Sequence, residues 1–325
     1  MRRGLVVGKF HPPHRGHSFL IETAKTQVDD LTVFVCGRQD QAIPAGLRAQ
    51  WLRAAHPGVE VRVVDDILKD DDSEAWAAYC RTLLDYAPDA VFTSELYGDD
   101  FARFLECEHV CVDLHRRAYP CSASEILSSP LAHGHFLAPR VRAYFVPRII
   151  VVGAESTGKT TLCQRLADHF GTIWVPEYGR DYALKKTASN DPLWTDEDFR
   201  AILTEQQRNE DEAALSADRV LICDTDSFAT KIWYERYLGQ RPLSWPRRLP
   251  PATLYLVTDF DVAFVQDGTR DGEHVRQWMH ERFVEDLAAT KSTFTLLSGD
   301  YETRYKTAVA AVERVVGDVK LPEGK

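Results

Sequence analysis

Three histidines, two prolines and two glycines lie within ten residues near the start of the chain, in the segment GKFHPPHRGH at positions 8–17. The segment directly follows the apolar run LVV at positions 5–7, which is typical of a buried strand. Glycine lets the backbone approach a ligand closely, and proline fixes the course of a loop. Imidazole groups beside a helix N-terminus suit phosphate oxygens. The segment therefore predicts a phosphate site at the end of a strand.

His14 and His17 are three residues apart, and a helix beginning near Arg15 would bring them onto one face. In an open α/β sheet that face borders the crevice in which ligands bind. Donors there suit a triphosphate attacked at its α-phosphorus, because the leaving pyrophosphate gains charge. We expect His14 and His17 to be catalytic, and ATP to be bound by Gly8, Lys9, Phe10, His14, Gly16 and His17. A zinc site is the alternative, but no nearby cysteine or carboxylate supplies a fourth ligand.

A second glycine-rich segment, GAESTGKT at positions 153–160, follows another apolar run. It matches the pattern GxxxxGK[ST], whose backbone N–H groups surround phosphate. Lys159 would reach the β- and γ-phosphates as a catalytic residue, and the Thr160 hydroxyl would bind Mg²⁺. The predicted ATP-binding residues are Gly153, Glu155, Ser156, Thr157, Gly158, Lys159, Thr160 and Thr161. A glycine-rich turn at a helix start is the alternative.

Two aspartates follow the apolar run VLIC, in the segment DTD at positions 224–226. A phosphate-binding loop needs a carboxylate for the metal at the end of a neighbouring strand. We expect Asp224 and Asp226 to be catalytic, with Asp224 holding Mg²⁺ beside Thr160 and the other orienting an acceptor hydroxyl; which of the two acts as base is left open. A helix N-cap is the alternative role for either one.

Two further segments of the second half carry groups suited to a small ligand. EYGRDY predicts that substrate is bound by Glu177, Tyr178, Arg180 and Asp181; a surface salt-bridge cluster is the alternative. DGTRDG at positions 267–272 predicts a mobile lid whose Arg270 closes on the phosphates of ATP, with a plain turn as the alternative.

Short β-branched runs alternate with helix-like stretches along the whole chain, which predicts α/β architecture with parallel sheets. A proline-containing stretch at 128–147 separates two such series, so we expect two domains, 1–146 and 147–325. The predicted strands are 5–7, 31–36, 59–64, 90–93, 110–112, 148–152, 173–175, 220–223, 253–257 and 294–297, and the predicted helices are 17–27, 45–55, 73–86, 98–105, 160–170, 195–215 and 275–290.

Composition narrows the class of protein. The 325 residues are 44% apolar and 27% charged, as in ordinary globular proteins. No apolar run is long enough to span a bilayer and no signal peptide is evident, so we expect a cytoplasmic location. The seven cysteines form no CxxC pair and are expected to be reduced thiols. A net charge of −10 argues against nucleic acid as a partner.

The motif GxFxPxHxGH looks like that of the nucleotidyltransferase superfamily. Joined to GAESTGKTT, EYGRDY and DTD in one chain, it resembles the bifunctional nicotinamide-nucleotide adenylyltransferase/ribosylnicotinamide kinase family of the NadR type over essentially all 325 residues. The resemblance implies an N-terminal Rossmann-like nucleotidyltransferase domain and a C-terminal P-loop kinase domain. The kinase would phosphorylate nicotinamide riboside to the mononucleotide (NMN) with ATP and Mg²⁺. The transferase would join NMN to AMP from a second ATP, giving NAD and pyrophosphate.

Other segments also resemble the family. FTSE at 92–95 is similar to its strand end near the adenine of the nucleotide, and LRAQWL at 47–52 to its RxxWL helix. Trp51 is expected to bind substrate by stacking on nicotinamide, with a place in the core as the alternative. Some members carry an N-terminal helix-turn-helix, but the first strand here begins near residue 4, so we expect no DNA binding. A homo-oligomer is left open.

One motif departs from the family pattern. The superfamily signature S-x-[ST]-x-[IV]-R reads Ser122, Ser124 and then Leu127 in place of the arginine. The two serines are expected to bind ATP. Losing one hydrogen bond to a charged group costs about 1.5–3 kcal/mol. Substitutes for the missing arginine are sought among Arg116, Arg117, Arg140 and Arg142.

The departure keeps two other functions open. In the first, the kinase is active and the N-terminal domain is a sensor that binds NAD or NMN with weak or no turnover. In the second, both folds are retained but the acceptor differs, being another nucleoside or a pantetheine-like phosphate.

Overall fold

Two α/β units follow one another in the chain, Met1–Arg142 and Ala143–Lys325. The computed structural model describes residues 1–189, 193–246, 249–266 and 272–317. The division falls after Arg142, whereas the sequence predicts a boundary after Val146.

The N-terminal unit is built on a five-stranded parallel sheet. Its strands are β1 (Arg3–Gly8), β2 (Asp30–Gly37), β3 (Glu60–Asp65), β4 (Ala90–Thr93) and β5 (Glu108–Cys111). Their order in the sheet is β3-β2-β1-β4-β5, so the chain reverses direction across the sheet at β1. The crevice beside a central strand at such a switch point is where open α/β sheets bind ligands.

Helices cover both faces of this sheet, because parallel strands are joined by crossovers that pack back onto it. They are α1 (Arg15–Lys25), α2 (Ala45–Ala55), α3 (Ser73–Leu83) and α4 (Gly98–Leu105). Two short helices follow β5 in the chain, α5 (Ala123–Ser128) and α6 (Pro139–Tyr144), and the division between the units falls within α6. Alternate residues of β1 point into different cores. Val6 belongs to the cluster under α1 and α2, and Leu5 to the cluster under α3 and α4.

The C-terminal unit has a second five-stranded parallel sheet, formed by β6 (Arg148–Gly153), β7 (Trp174–Val175), β8 (Leu221–Asp224), β9 (Leu254–Thr258) and β10 (Phe294–Leu297) in the order β10-β9-β6-β8-β7. All six residues of β6 are buried, as expected for the central strand. The helices are α7 (Lys159–Phe170), α8 (Tyr178–Ala188), α9 (Asp196–Ser216), α10 (Ser227–Leu238), α11 (Arg276–Ala289) and α12 (Tyr301–Gly317).

The predicted α/β architecture is confirmed, and the predicted strands all exist, although β5 begins two residues earlier than expected. Five helices were not predicted: α5, α6, α8, α10 and α12. No helix of the described residues combines the length and the apolar character needed to cross a membrane.

Candidate functional site

A cavity of about 480 Å³ opens at the carboxyl end of β1 in the N-terminal unit. The predicted ATP-binding residues of this unit all line it: Gly8, Lys9, Phe10, His14, Gly16, His17, Ser122 and Ser124. Trp51, predicted to bind substrate, is half-buried on α2 and is not among the described residues that line the cavity. The contact of Trp51 with substrate therefore stays a prediction.

His14 and His17 begin helix α1 and cap it. His14 is the N-cap residue, and its Nδ1 accepts a hydrogen bond from Gly16 N at 3.2 Å. The Nδ1 of His17 accepts one from His14 N at 3.3 Å. The two rings stack with centroids 3.7 Å apart. Imidazoles here take the place of the serine and glutamate of an ordinary capping box.

This capping fixes the protonation pattern of both rings. Because each Nδ1 accepts a backbone N–H, the proton of the neutral ring resides on Nε2. Burial and the nearby Arg116 charge lower the pKa of His14 to about 4. Burial, then the neighbouring His14 and Arg116, hold the pKa of His17 well below its ordinary value. Both rings are thus neutral Nε2–H donors at pH 7 in this cavity.

A buried arginine of α2 supports the loop from below. Arg48 is fully buried and donates to the backbone oxygens of Ile43 at 3.0 Å and Cys36 at 3.1 Å, as well as to Lys9 O. The third histidine, His11, accepts Ile43 N at 3.2 Å through Nε2. His11 is thereby a structural residue, and the described residues contain no group of three or more His, Cys, Asp or Glu side chains suited to a metal ion.

Arg116 is the candidate that the cavity offers for the missing motif arginine. It lines the cavity, whereas Arg117, Arg140 and Arg142 are not among its described lining residues. Its guanidinium donates to Glu95 Oε1 at 3.1 Å and to Cys121 O at 3.4 Å. Its charge also acts on both capping histidines, as their lowered pKa values indicate. Leu127 is 38% exposed and does not line the cavity.

The other end of the cavity contains two residues that the sequence motifs did not indicate, Asp66 and Trp76. Asp66 follows β3, and its N–H donates to Gly37 O at 3.0 Å, which fixes it at the sheet edge. Trp76 is held by its Nε1, which donates to Lys69 O at 2.9 Å. A strand-end acidic pair, DD at 65–66, was the available signal.

The C-terminal unit has a cavity of about 690 Å³ at the carboxyl end of β6. It is lined by the predicted residues Glu155, Ser156, Thr157, Gly158, Lys159, Thr160, Thr161, Glu177 and Arg180. Gly153, Tyr178, Asp181, Asp224 and Asp226 are absent from the described lining. Arg270 lies outside the described residues.

The second glycine-rich loop is held by its neighbours. Thr157 Oγ1 donates to Ala154 O at 2.9 Å, and Lys159 Nζ donates to the same oxygen at 2.9 Å. Gly158 has a φ of +84°, and a Cβ there would lie 2.6 Å from Tyr301 Cε1. Arg304, buried on α12, donates to Thr157 O at 2.9 Å. The loop is therefore closely fitted and requires glycine at position 158.

Asp224 and Asp226 have different environments. Thr160 Oγ1 donates to Asp224 Oδ2 at 2.5 Å, and Asp224 Oδ1 is buried with no hydrogen-bond partner among the described residues. Asp226 Oδ1 accepts the N–H groups of Phe228 and Ala229 as the N-cap of α10, and its Oδ2 accepts Tyr255 OH at 2.9 Å. This geometry favours the N-cap alternative for Asp226, and its catalytic role stays a prediction.

Glu177 is the acidic group that faces Lys159 and Asp224. Burial raises its pKa to about 7, against the opposing charge of Lys159. Burial likewise raises the pKa of Asp224. Tyr178, the first residue of α8, donates its backbone N–H to Gln206 Oε1 at 2.9 Å and is not among the described residues that line the cavity.

Four aromatic residues form a wall of this cavity: Trp194, Phe199, Trp233 and Tyr237. The rings of Trp194 and Tyr237 stack at 5.0 Å, and Trp233 and Tyr237 stack at 6.1 Å. Sequence motifs did not indicate them, although Trp233 and Tyr237 are spaced four apart and so share a face of α10. The wall suits a flat ring of a ligand.

Glu155 of the loop is engaged by two groups. Its Oε1 accepts Arg236 Nη1 at 3.0 Å, and its Oε2 accepts Gly272 N at 2.8 Å. The Arg236 guanidinium also lies 4.9 Å from the centre of the Trp233 ring. The carboxylate of Glu155 therefore lies at the cavity with both oxygens hydrogen-bonded within the protein.

The fold and the two loops define a protein with two α/β units, each of which has a loop of the kind that binds nucleotide phosphates at the end of a central strand. Residues 5–127 match the cytidylyltransferase-like family, and residues 148–304 match the AAA domain family. Over 344 aligned residues the chain is 25% identical to the trifunctional NAD biosynthesis/regulator protein NadR of Escherichia coli K12, covering 97% of this chain and 83% of that protein. The NadR of Salmonella typhimurium LT2 is also 25% identical over 342 residues, with the same coverage.

Solved structures agree with these relatives. The crystal structure of NadR protein in complex with NR has a TM-score of 0.70 at 22% identity and covers 100% of this chain and 98% of that one. The NadR complex with NAD and AMP-PNP has a TM-score of 0.66 at 22% identity with the same coverage. The resemblance of this chain to the NadR-type family is confirmed.

Proposed function

We propose that this protein carries out two successive reactions of NAD biosynthesis. The C-terminal unit phosphorylates nicotinamide riboside to NMN, and the N-terminal unit adenylylates NMN to NAD. One observation carries the proposal: each unit has its own cavity, formed by a different phosphate-type loop at the carboxyl edge of its own parallel sheet. The names of the relatives, which include NAD biosynthesis, NR, NAD and an ATP analogue, support the same two reactions.

In the N-terminal cavity the chemistry is adenylyl transfer. A phosphate oxygen of NMN attacks the α-phosphorus of ATP, the bond to the β-phosphate breaks, and pyrophosphate leaves with both electrons of that bond. The Nε2–H groups of His14 and His17 donate to oxygens on which charge develops, and Arg116 adds a full positive charge. A donor placed where negative charge increases during the reaction binds the transition state more strongly than the ground state.

In the C-terminal cavity the chemistry is phosphoryl transfer. Lys159 contacts the β- and γ-phosphates, and backbone N–H groups of the loop surround them. The residues fit Mg²⁺, because hydroxyl and carboxylate oxygens are its preferred ligands and Asp224 Oδ1 is unpartnered among the described residues. Bound there through Thr160 and Asp224, the ion would neutralise charge on the phosphates.

Glu177 is the proton acceptor in this proposal. It receives the proton of the riboside 5′-hydroxyl as that oxygen bonds to the γ-phosphorus and ADP leaves. A carboxylate whose pKa lies near the working pH suits general-base catalysis. The aromatic wall formed by Trp194, Phe199, Trp233 and Tyr237 contacts the nicotinamide ring. Arg180 lines the same cavity and balances the acidic groups.

The test is a pair of assays on the full chain. With nicotinamide riboside, ATP and Mg²⁺ we expect NMN and then NAD; with NMN, ATP and Mg²⁺ we expect NAD and pyrophosphate. Lys159→Ala should abolish the first conversion and leave the second, and His17→Ala should do the reverse. Riboside phosphorylation that survives Lys159→Ala would contradict the assignment of the loop. A panel of other nucleosides and of pantetheine phosphate tests the acceptor.

The sensor function remains the second candidate, because Leu127 stands where the signature has arginine. It predicts that NMN or NAD binds the N-terminal unit with an unchanged affinity in His17→Ala and without turnover in the wild type. NAD formation that requires His17 excludes it.

We further propose that the partners are these small molecules and not nucleic acid, and that the protein acts in the cytoplasm. The net charge of −10 supports the absence of a nucleic-acid surface. A filter-binding measurement with duplex DNA at 50 mM salt checks this, and retention of DNA would contradict it.

A further inference from the structure

One side chain of the C-terminal unit, Arg236 of α10, lies between the aromatic wall and the loop at 153–160. Trp233 lies three residues before Arg236, and Tyr237 lies four residues after Trp233, so the three side chains occupy one side of the helix. The Arg236 side chain is 7% exposed and is not among the described residues that line the cavity. Its neighbours Trp233, Tyr237 and Glu155 do line it. Arg236 is therefore placed to join two parts of one binding site without occupying it.

The guanidinium of Arg236 contacts both the wall and the loop. Its central carbon lies 4.9 Å from the centre of the Trp233 ring and 4.8 Å from the centre of the Tyr237 ring. Both distances are within the range of a cation–π interaction. At the same time its Nη1 donates to Glu155 Oε1 at 3.0 Å. A guanidinium can make both contacts, because its flat faces stack on rings while its N–H groups bind a carboxylate.

The backbone at Gly272 packs directly against this ion pair. Its N–H donates to Glu155 Oε2 at 2.8 Å. A Cβ at position 272 would lie 2.6 Å from that same oxygen and 2.8 Å from Nη2 of Arg236. The carboxylate and the guanidinium therefore have little space in which to move apart on this side. The position of Glu155 follows that of Arg236, and the position of Arg236 follows that of the two rings.

A second cation at the wall is paired with a different element. The Nζ of Lys186, on α8, lies 5.8 Å from the centre of the Trp194 ring. It forms an ion pair with Asp198 at 3.1 Å, and Asp198 lies in the first turn of α9. Lys186 thus ties the wall to α9, whereas Arg236 ties it to the loop.

We propose that Arg236 is a positioning residue that couples the binding of the acceptor at the wall to the binding of ATP at the loop. This inference rests on the proposed riboside kinase. A flat ring bound against Trp233 and Tyr237 fixes these side chains and, through their faces, the guanidinium. The guanidinium then holds Glu155, and with it the loop, in the geometry that surrounds phosphate. Because the first ligand orders groups that the second also needs, each ligand strengthens the binding of the other.

Arg236→Lys separates this coupling from the ion pair. Lysine keeps a positive charge for Glu155 but has no planar group to stack on two rings at once. ATP alone should therefore bind nearly as in the wild type, while the riboside no longer assists it. Lys186→Met is the matched control, because it removes a cation from a ring of the same wall and leaves the contacts of the loop in place.

The experiment measures ADP formation by the full chain over a grid of riboside and ATP concentrations with Mg²⁺. ADP reports on the kinase alone, because adenylyl transfer releases pyrophosphate. In the wild type we expect saturating riboside to lower the KM for ATP by about fivefold or more, as is typical of coupled sites. In Arg236→Lys this factor should fall below about twofold, while kcat and the KM for ATP extrapolated to zero riboside stay within about threefold of the wild type. In Lys186→Met the KM for the riboside should rise and the factor should stay unchanged.

An unchanged factor in Arg236→Lys, or a wild type in which the riboside does not alter the KM for ATP, would overturn the proposal. Loss of the factor in Lys186→Met as well would also overturn it, since any disturbance of the wall would then have this effect. Calorimetric titration of the riboside with and without AMP-PNP and Mg²⁺ measures the same factor without turnover, because coupling is reciprocal. A riboside that yields no ADP contradicts the proposed kinase, whereas ADP formed without coupling contradicts only the role of Arg236, so the two failures are distinguishable.

Discussion

The two candidate phosphate-binding loops of this protein, at 8–17 and 153–160, are held in the same way but present different hydrogen-bond donors to a ligand. Each is fixed from beneath by a buried arginine that donates to a loop carbonyl: Arg48 to Lys9 O in the first loop and Arg304 to Thr157 O in the second. In the first, side chains of His14 and His17 cap the following helix. In the second, α7 follows Gly158 with no side-chain cap from the described residues.

This difference matches the two kinds of chemistry. In the first loop the histidine rings accept the backbone N–H groups at the start of α1. The ring N–H groups are then the donors that remain for a ligand. Where no side chain caps the helix, the backbone N–H groups themselves remain for phosphate, and the buried ammonium of Lys159 joins them. In both units a buried arginine holds the loop. The loop of the N-terminal unit presents neutral donors, whereas the loop of the C-terminal unit has a stronger positive potential.

The largest effect is expected in the C-terminal unit, at Glu177, which precedes α8. Glu177→Gln removes the proton acceptor and should lower the kinase kcat by about 10²–10⁴-fold, as for other general bases, while adenylyl transfer is unchanged. Steady-state assays of both reactions measure this.

Asp226→Ala is the contrasting variant. Loss of an N-cap costs about 0.5–2 kcal/mol, so chemical denaturation should show a less stable C-terminal unit whose folded fraction retains its kinase activity. A kinase loss in Asp226→Ala as large as in Glu177→Gln would support the catalytic role of Asp226.

Gly158→Ala should lower kinase kcat/KM by about 10²-fold or more, because a methyl group there meets Tyr301 and distorts the loop. Gly171→Ala at the other end of α7 is the matched control. Gly171 also has positive φ, +60°, but a Cβ there meets nothing within 4 Å. It should cost about 1 kcal/mol of stability and little activity. Equal kinase losses in both variants would show that backbone strain alone, and not the fit to Tyr301, is responsible.

In the first loop, Arg116→Ala should lower adenylyl transfer by about 10- to 150-fold, the equivalent of one hydrogen bond to a charged group. Arg117→Ala, the neighbouring arginine that does not line the cavity, should change it less than twofold. Riboside phosphorylation serves as the internal control for both. Comparable effects of the two variants would mean that general positive charge, and not the position of Arg116, assists the reaction.

The last prediction concerns the pH dependence of stability and no change in activity. His14 has a pKa of about 4 in the folded state and about 6.5 when unfolded, so the unfolded state binds the proton more readily. The contribution of neutral His14 to the free energy of unfolding is fully present above pH 6.5. It is lost as the pH falls toward 4, and the loss reaches about 3 kcal/mol. His14→Asn keeps an N-cap without a titrating ring. Urea unfolding should therefore depend less on pH in this variant; an identical pH dependence would contradict the lowered pKa.

Both loops were readable from the sequence, because glycine, lysine and histidine at fixed spacings act through the backbone that immediately surrounds them. Site residues that lie on other helices and strands could not be predicted from the sequence in this way. Nothing in the letters DTD distinguishes Asp224 from the N-cap residue Asp226. The difference depends on Thr160, which donates to Asp224, and on Tyr255, which donates to Asp226, and both lie on other elements. The aromatic wall joins Trp194, before α9, to side chains of α10, a helix that was not predicted.

Asp66 shows the same limit in the first unit. It belongs to no motif, and only the crossing from β2 to β3 brings it to the cavity. EYGRDY was singled out as one cluster, but the start of α8 directs its residues apart, so that Glu177 and Arg180 line the cavity whereas Tyr178 and Asp181 do not.

The carboxylate of Glu155 is an unfavourable charge for a loop that receives a polyanion. Glu155 forms an ion pair with Arg236 and accepts a hydrogen bond from Gly272 N, and these contacts offset its charge. The two partners lie 81 and 117 positions away along the chain. The two side chains behave as one neutral unit, and losing Arg236 alone would turn Glu155 into a repellent for ATP. Changing both together would spare the nucleotide, so each of these positions constrains what the other can become.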